Sequence, residues 1–241
     1  MKKILKKLDK LGFGWLLVWG AIYVAFLVMG ADKESDVVAT TLKYGGLILC
    51  FIYVLLYARR DVYLVLAMGL TVIADGILVY NNVSEIGVGV FLLVQVAHLL
   101  RFTQIRSVSP LVPLLLAGLA VGFGLIQNEV PMMFVLAVAY AVLIFTNIYQ
   151  VAKWYKVEKS SASKYALVGF LLFLLCDVCV GISYLTTTVT LPHFVTILAN
   201  YMAWVFYLPA QISLALSGRR AGFDEIVEIP ETLLDPGAES L

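Results

Sequence analysis

VYLVLAMGLTVIADGILVY, residues 62–80, is an apolar run that carries a single charge, Asp75. The polar NNVSE (81–85) ends it, and a second apolar run, IGVGVFLLVQVAHLLRFTQI (86–105), follows at once. A helix needs about 20 mostly apolar residues to cross a bilayer. These two segments are long enough, with only a short loop between them. Six further runs of the same kind lie at 13–30, 37–58, 110–126, 131–154, 165–185 and 194–217. Their breaks fall at charge clusters, prolines and glycines. The pattern predicts an all-α, polytopic membrane helix bundle of eight transmembrane helices. Residues 1–218 form its one transmembrane domain, because connections as short as ADKESD (31–36) and RSVS (106–109) leave no room for a second domain. The basic opening MKKILKKLDK resembles that of a signal peptide, but the apolar run after it is long for one and reads as a retained first span.

Composition agrees with this reading. Of the 241 residues, 62% are apolar and 14% charged, and mean hydropathy is +0.96. A water-soluble fold of this length would lack the polar side chains to cover itself. The net charge of +1 gives no nucleic-acid footprint. Three cysteines, all inside apolar runs, do not make a secreted disulfide scaffold. Positive charge is retained on the cytoplasmic side of membrane proteins, and fifteen of the seventeen Lys and Arg residues fall on one side of the eight-span arrangement. Both termini are therefore expected in the cytoplasm. Residues 219–241 are acidic and contain Pro230 and Pro236, which predicts a flexible cytoplasmic tail.

Of the sixteen acidic residues, only Asp75 and Asp177 lie deep within spans. A carboxylate in hydrocarbon costs at least about 2.5 kcal/mol, so such residues face a bundle interior and mark a functional path. With a rise of about 1.5 Å per residue, Asp75 lies roughly 6 Å and Asp177 roughly 3 Å to the non-cytoplasmic side of their span centres. Lys43 and Tyr201 lie roughly 6 Å to that side, and His98 about 4 Å to the other. One cation, two carboxyls, a phenol and an imidazole thus belong to a single layer, and its polar mouth is expected on the non-cytoplasmic side or open laterally to lipid. The separation of 23 residues from Asp75 to His98 recurs between Asp177 and Asn200, which points to a 4+4 parallel internal repeat.

The stretch GLTVIADGILVYNNVSEIGVGVFLLVQVAHLLRF (69–102) resembles the YhhN-like, or lysoplasmalogenase, family through Gly69, Asp75, Leu78, Gly87, Phe91, Ala97 and His98. GFLLFLLCDVCVGIS (169–183) is similar to the family's second acidic span through Gly169, Phe173 and Asp177. NYMAWVFYLPAQISLALS (200–217) is similar to its closing span through Tyr201, Ala210 and Gln211. The chain departs from the pattern at Ala74, at Cys176 and at Lys43–Tyr44, where the family commonly has Gly, Ser and Lys-Pro. The resemblance implies hydrolysis of the vinyl ether bond of a lysoplasmalogen to a fatty aldehyde and a glycerophospho-alcohol. Its substrate is then a lysophospholipid delivered by the bilayer. No cofactor is expected. Two Asp in different surroundings can divide into acid and base, so Asp75 and Asp177 are the catalytic candidates, with Asp177 as proton donor. Lys43, His98, Asn200, Tyr201 and Gln211 are the substrate-binding candidates, Lys43 for the phosphate. The alternative is a proton-coupled transporter that uses the same buried Asp pair.

Plainer features complete the reading. Cys176 and Cys179 flank Asp177 as a C-x-x-C, but no second soft-ligand pair accompanies them, so they are expected to pack rather than bind metal. Gly118 and Gly122 form a G-x-x-x-G expected to serve packing inside the bundle. Trp15, Tyr80 and Trp154, near span ends, are expected as interface anchors. Asn147 and Gln150 are expected in polar helix contacts.

Overall fold

A computed structural model of the protein describes residues 2–29, 36–81, 84–106, 109–127, 130–186, 189 and 192–218, without the side chains of 2–13, 36, 79–81 and 106. The expected tail, 219–241, lies outside the described residues. Among those described, the chain is helical with no strand. Its helices are α1 (Lys2–Met29), α2 (Asp36–Tyr57), α3 (Val62–Asn81), α4 (Glu85–Arg106), α5 (Leu111–Ile126), α6 (Met132–Glu158), α7 (Ser161–Leu185) and α8 (His193–Leu216). Five of them, α2, α4, α6, α7 and α8, are long and apolar enough to cross a membrane. Shorter apolar stretches occupy Gly14–Met29, Val62–Leu78 and Leu111–Ile126.

Local chemistry sets the helix ends. Pro110, Pro131 and Pro192 stand immediately before α5, α6 and α8, where a missing N–H costs nothing and the preceding chain is forced out of helix. The connection between the expected runs 131–154 and 165–185, KVEKSSASK (156–164), is almost entirely helical. α6 runs to Glu158, Lys159 turns the chain with a left-handed φ of 49°, and the Ser160 hydroxyl accepts the Ser163 N–H at 3.1 Å to start α7. Charge limits the apolar span but not the helix, which continues into polar surroundings until a cap stops it.

Adjacent helices pair as α1–α2, α2–α3, α3–α4, α5–α6, α6–α7 and α7–α8, and α4 also packs on α6 and α2 on α8. Among the described residues, the two largest apolar cores are built as follows. One gathers Phe102, Ile144, Trp154, Phe170, Phe173, Tyr207 and Leu214; the other gathers Trp19, Leu47, Tyr53, Leu64, Met68 and Leu208. α8 contributes to both and so forms their common wall. Its close approach to α7 depends on Gly169, where a Cβ would lie 2.8 Å from Leu214 Cγ and 3.1 Å from the Leu214 backbone nitrogen. Outward-facing side chains such as Leu115, Leu119 and Phe123 are exposed and apolar, as a lipid-facing surface requires.

Two expectations are corrected here. A Cβ on Gly118 or Gly122 would meet nothing within 4 Å, so these glycines do not serve helix packing inside the bundle. α5 turns that face outward and meets α6 instead where Gly124 lies against Val135. Trp154 is buried against Phe102, with ring centroids 6.3 Å apart, and is a core residue rather than an interface anchor. The helical continuation of α6 to Glu158 carries Trp154 away from a span end. Trp15 belongs to an aromatic cluster with Trp19 and Tyr53, and its indole N–H donates to the Tyr57 hydroxyl at 3.3 Å. The Tyr80 side chain lies outside the described residues.

Pro209 lies inside α8 and leaves the Val205 carbonyl, four residues earlier, without its helical donor. The Tyr23 hydroxyl of α1 donates to that carbonyl at 2.9 Å. Tyr23→Phe is therefore expected to destabilise the protein by about 1–2 kcal/mol, because it removes the partner of a carbonyl that the helix itself leaves unmet. A lowered unfolding midpoint in detergent would show this; an unchanged midpoint would contradict it.

Candidate functional site

On α3, Asp75 is buried, at 9% exposure, and its Oδ2 accepts the Tyr207 hydroxyl of α8 at 2.6 Å. Gly76 beside it has a structural reason to lack a side chain. A Cβ there would lie 3.0 Å from the Tyr44 hydroxyl, which donates to the Val72 carbonyl at 3.2 Å and holds α2 against α3. Lys43, the residue before Tyr44, sets its Nζ 4.3 Å from the ring centre of Trp204 and 5.8 Å from that of Phe26. Trp204 meets Tyr207 edge-on at 5.8 Å. A continuous line of contacts thus runs from Lys43 through Trp204 and Tyr207 to Asp75.

Asp177, half-buried on α7, has a matching arrangement. Its Oδ2 accepts the Tyr140 hydroxyl of α6 at 2.7 Å. Tyr140 in turn accepts from Gln95 Nε2 at 3.0 Å, and Asn147 Nδ2 donates to Gln95 Oε1 at 2.9 Å and to the Gln95 carbonyl at 3.0 Å. This series fixes the direction of the Tyr140 hydroxyl: its oxygen accepts from Gln95, so its hydrogen points to the Asp177 carboxyl. The two carboxyls also share neighbours. Cys176 lies within electrostatic reach of both, and so does the Tyr207 phenol. Phe173 packs on Tyr207 at 6.0 Å and on Phe91 at 6.0 Å, closing the centre with aromatic rings.

The other expected site residues divide into an inner and an outer group. His98 and Gln211 are both 1% exposed. The His98 ring lies 5.0 Å from Phe170 and 6.1 Å from Phe102. Asn200 and Tyr201 lie on an exposed face of α8, where Asn200 Oδ1 accepts the Ser183 hydroxyl at 2.5 Å and clips α8 to α7. Asn147 makes the polar helix contact expected of it, with Gln95. Cys176 is buried and Cys179 half-buried. Among the described residues no three His, Cys, Asp or Glu side chains come together in a way that would hold a metal.

Tyr140, Tyr207 and Gln95 were not among the expected site residues. A signal for the two phenols existed. A tyrosine hydroxyl inside an apolar run needs a partner, and counting depth along the spans puts Tyr140 and Tyr207 within about 4 Å of their centres. A further polar cluster, also unanticipated, closes one end of the bundle. Arg101 Nε meets Asp61 Oδ2 at 2.7 Å and Arg101 Nη1 donates to the Ser217 hydroxyl at 2.9 Å, while Asp61 Oδ1 caps the Leu64 N–H at 3.1 Å.

The arrangement is chemically a pair of carboxyls, each held through one oxygen by a phenol, within an apolar helix bundle. Such a pair can hold, donate and accept a proton where bulk water is scarce. The YhhN family profile matches residues 38–218, from the start of α2 to the turn after α8. No curated protein and no solved structure matches the chain.

Proposed function

Since the chain belongs to the YhhN family, we propose that it is a membrane-embedded hydrolase that cleaves the vinyl ether bond of lysoplasmalogens. The observation that carries this reading is the convergence of two tyrosine-held carboxyls, Asp75 and Asp177, around Cys176 and Tyr207. Vinyl ether cleavage begins with protonation of the carbon β to the ether oxygen. The electron pair of the C=C bond forms the new C–H bond, and an oxocarbenium ion remains. Asp177 is the proton donor in this scheme, with Tyr140 holding its orientation. Water then adds to the cationic carbon as Asp75 takes a proton from it. The resulting hemiacetal collapses to the fatty aldehyde and the glycerophospho-alcohol, and proton transfer between the two carboxyls restores the starting state. No cofactor enters the scheme.

Lys43 would receive the phosphate of the lysophospholipid, and the exposed apolar faces of the bundle would admit its chain from the bilayer of the cell membrane. The full architecture in this reading is eight spans with both termini cytoplasmic and a 4+4 internal repeat. The helix pairings support the repeat, since α1–α2, α2–α3, α3–α4 and α4–α6 correspond in order to α5–α6, α6–α7, α7–α8 and α8–α2.

The test is aldehyde release by purified protein in detergent. Lysoplasmenyl-ethanolamine is expected to yield fatty aldehyde, and the ester lysolipid of the same headgroup no fatty acid. Protein that binds the vinyl ether lipid yet releases no aldehyde would overturn the hydrolase reading in favour of proton-coupled transport.

A further inference from the structure

Three polar side chains lie buried below Asp75 on the way to the Arg101 cluster, and the scheme above uses none of them. Their relative placement follows from two registers. Asp75 faces Tyr207, and a Cβ on Gly218 would press on Leu64. Both contacts fit one antiparallel pairing of α3 with α8, which sets Thr71, one turn from Asp75, opposite Gln211, one turn from Tyr207. α4 is antiparallel to α3, with Leu78 against Gly87 and Asp61 against Arg101, and therefore runs parallel to α8. The Arg101–Ser217 hydrogen bond fixes its level. His98 stands three residues before Arg101, as Leu214 does before Ser217. His98 thus sits about one turn beyond Gln211 toward the Arg101 end.

Thr71, Gln211 and His98 are each 1% exposed. The Thr71 hydroxyl donates to the Ala67 carbonyl at 2.8 Å, which leaves its lone pairs to accept. Neither Gln211 Nε2 nor Gln211 Oε1 has a protein partner, and neither has His98 Nδ1. A buried amide with both ends unmet, one turn from an unmet imidazole nitrogen, would take a large share of a fold's net stability. Water satisfies such groups when several polar partners surround it. We infer that Thr71, Gln211 and His98 form a binding site for a file of water that links Asp75 to the Asp61–Arg101–Ser217 end of the bundle. Hydrolysis consumes one water per turnover at a centre lined by Phe91, Phe173 and Trp204. The file supplies it on the side of Asp75, the carboxyl that activates it. This delivery role rests on the hydrolase reading; the water site itself does not.

Brief X-ray radiolysis of the purified protein tests both parts, because hydroxyl radicals made from bound water oxidise the side chains beside it. His98 is expected to oxidise at least about tenfold faster than the similarly buried Phe26, by mass spectrometry of its peptide. Gln211→Leu should bring His98 down to the Phe26 rate, and Gln211→Glu, which keeps a polar end, should restore it. In the aldehyde assay Gln211→Leu should lower kcat about tenfold or more with KM unchanged. Wild-type His98 oxidising no faster than Phe26 overturns the water site, whatever the variants do. An unchanged kcat in folded Gln211→Leu overturns the delivery role. Fast oxidation of His98 in protein that releases no aldehyde removes the hydrolase reading and leaves the water site standing.

Discussion

On the hydrolase reading, Asp177→Asn is expected to leave the bundle folded and to lower the rate of aldehyde release by about 10²- to 10⁴-fold, the usual worth of a positioned general acid. The amide keeps the size of the side chain and can still accept the Tyr140 hydroxyl through its carbonyl oxygen, now at 2.7 Å from Asp177 Oδ2. It has no proton to give to a vinyl ether carbon. Folding survives because a neutral amide is less costly to bury than a carboxylate. Asp75→Asn is expected to do comparable damage, since an amide cannot take a proton from water. Initial rates in detergent, with the helical circular dichroism of each variant as control, decide the matter. Full activity in either variant would remove that carboxyl from the chemistry.

The largest stability effect is expected at the opposite end of the polar column. Arg101→Ala should destabilise the protein by about 3 kcal/mol, because it strands Asp61 next to a core that has closed over it. The Arg101 side chain is 3% exposed and that of Asp61 14%, so bulk solvent reaches the stranded carboxylate poorly. The same change removes the donor to Ser217 and with it the tie between α4 and α8. Arg101→Lys keeps the charge but not the fork that serves Asp61 and Ser217 together, and should fall between. Unfolding midpoints in detergent measure the series. Adding Asp61→Asn to Arg101→Ala should recover part of the loss, since the stranded charge is gone while the amide oxygen can still cap Leu64. No recovery would mean that the ion pair is not the source of the effect.

The class of the molecule, all-helical and apolar enough for a membrane, was legible in the amino-acid sequence, and so were the apolar helices found among the described residues. Helix formation in hydrocarbon is a local matter, because each span must satisfy its own backbone. Length, hydropathy and the prolines before α5, α6 and α8 therefore suffice to place the elements. The sequence also singled out Asp75 and Asp177, since a charge inside an apolar run is visible without knowing its neighbours. Span ends were less legible. Charge marks where lipid stops and not where the helix stops, so α6 and α7 extend beyond the expected runs 131–154 and 165–185, and Trp154 is not at a helix end.

What the carboxyls touch was decided only in the tertiary structure. Tyr207 is 132 residues from Asp75 and Tyr140 is 37 from Asp177; their depth in the spans marks each as needing a partner, and nothing local says that the partner is a carboxyl. The same holds for Arg101, which falls inside the expected 86–105 run among the cytoplasmic-side cations and is a buried partner of Asp61. Asn200 and Tyr201, at depths close to the acidic layer, face outward, whereas Gln211 on the same helix faces inward. Depth along a helix follows from counting at a fixed rise. Direction around it depends on which neighbour packs where, and that is set by close approaches such as Gly169 on Leu214 and Gly76 on Tyr44, made between residues far apart in the chain.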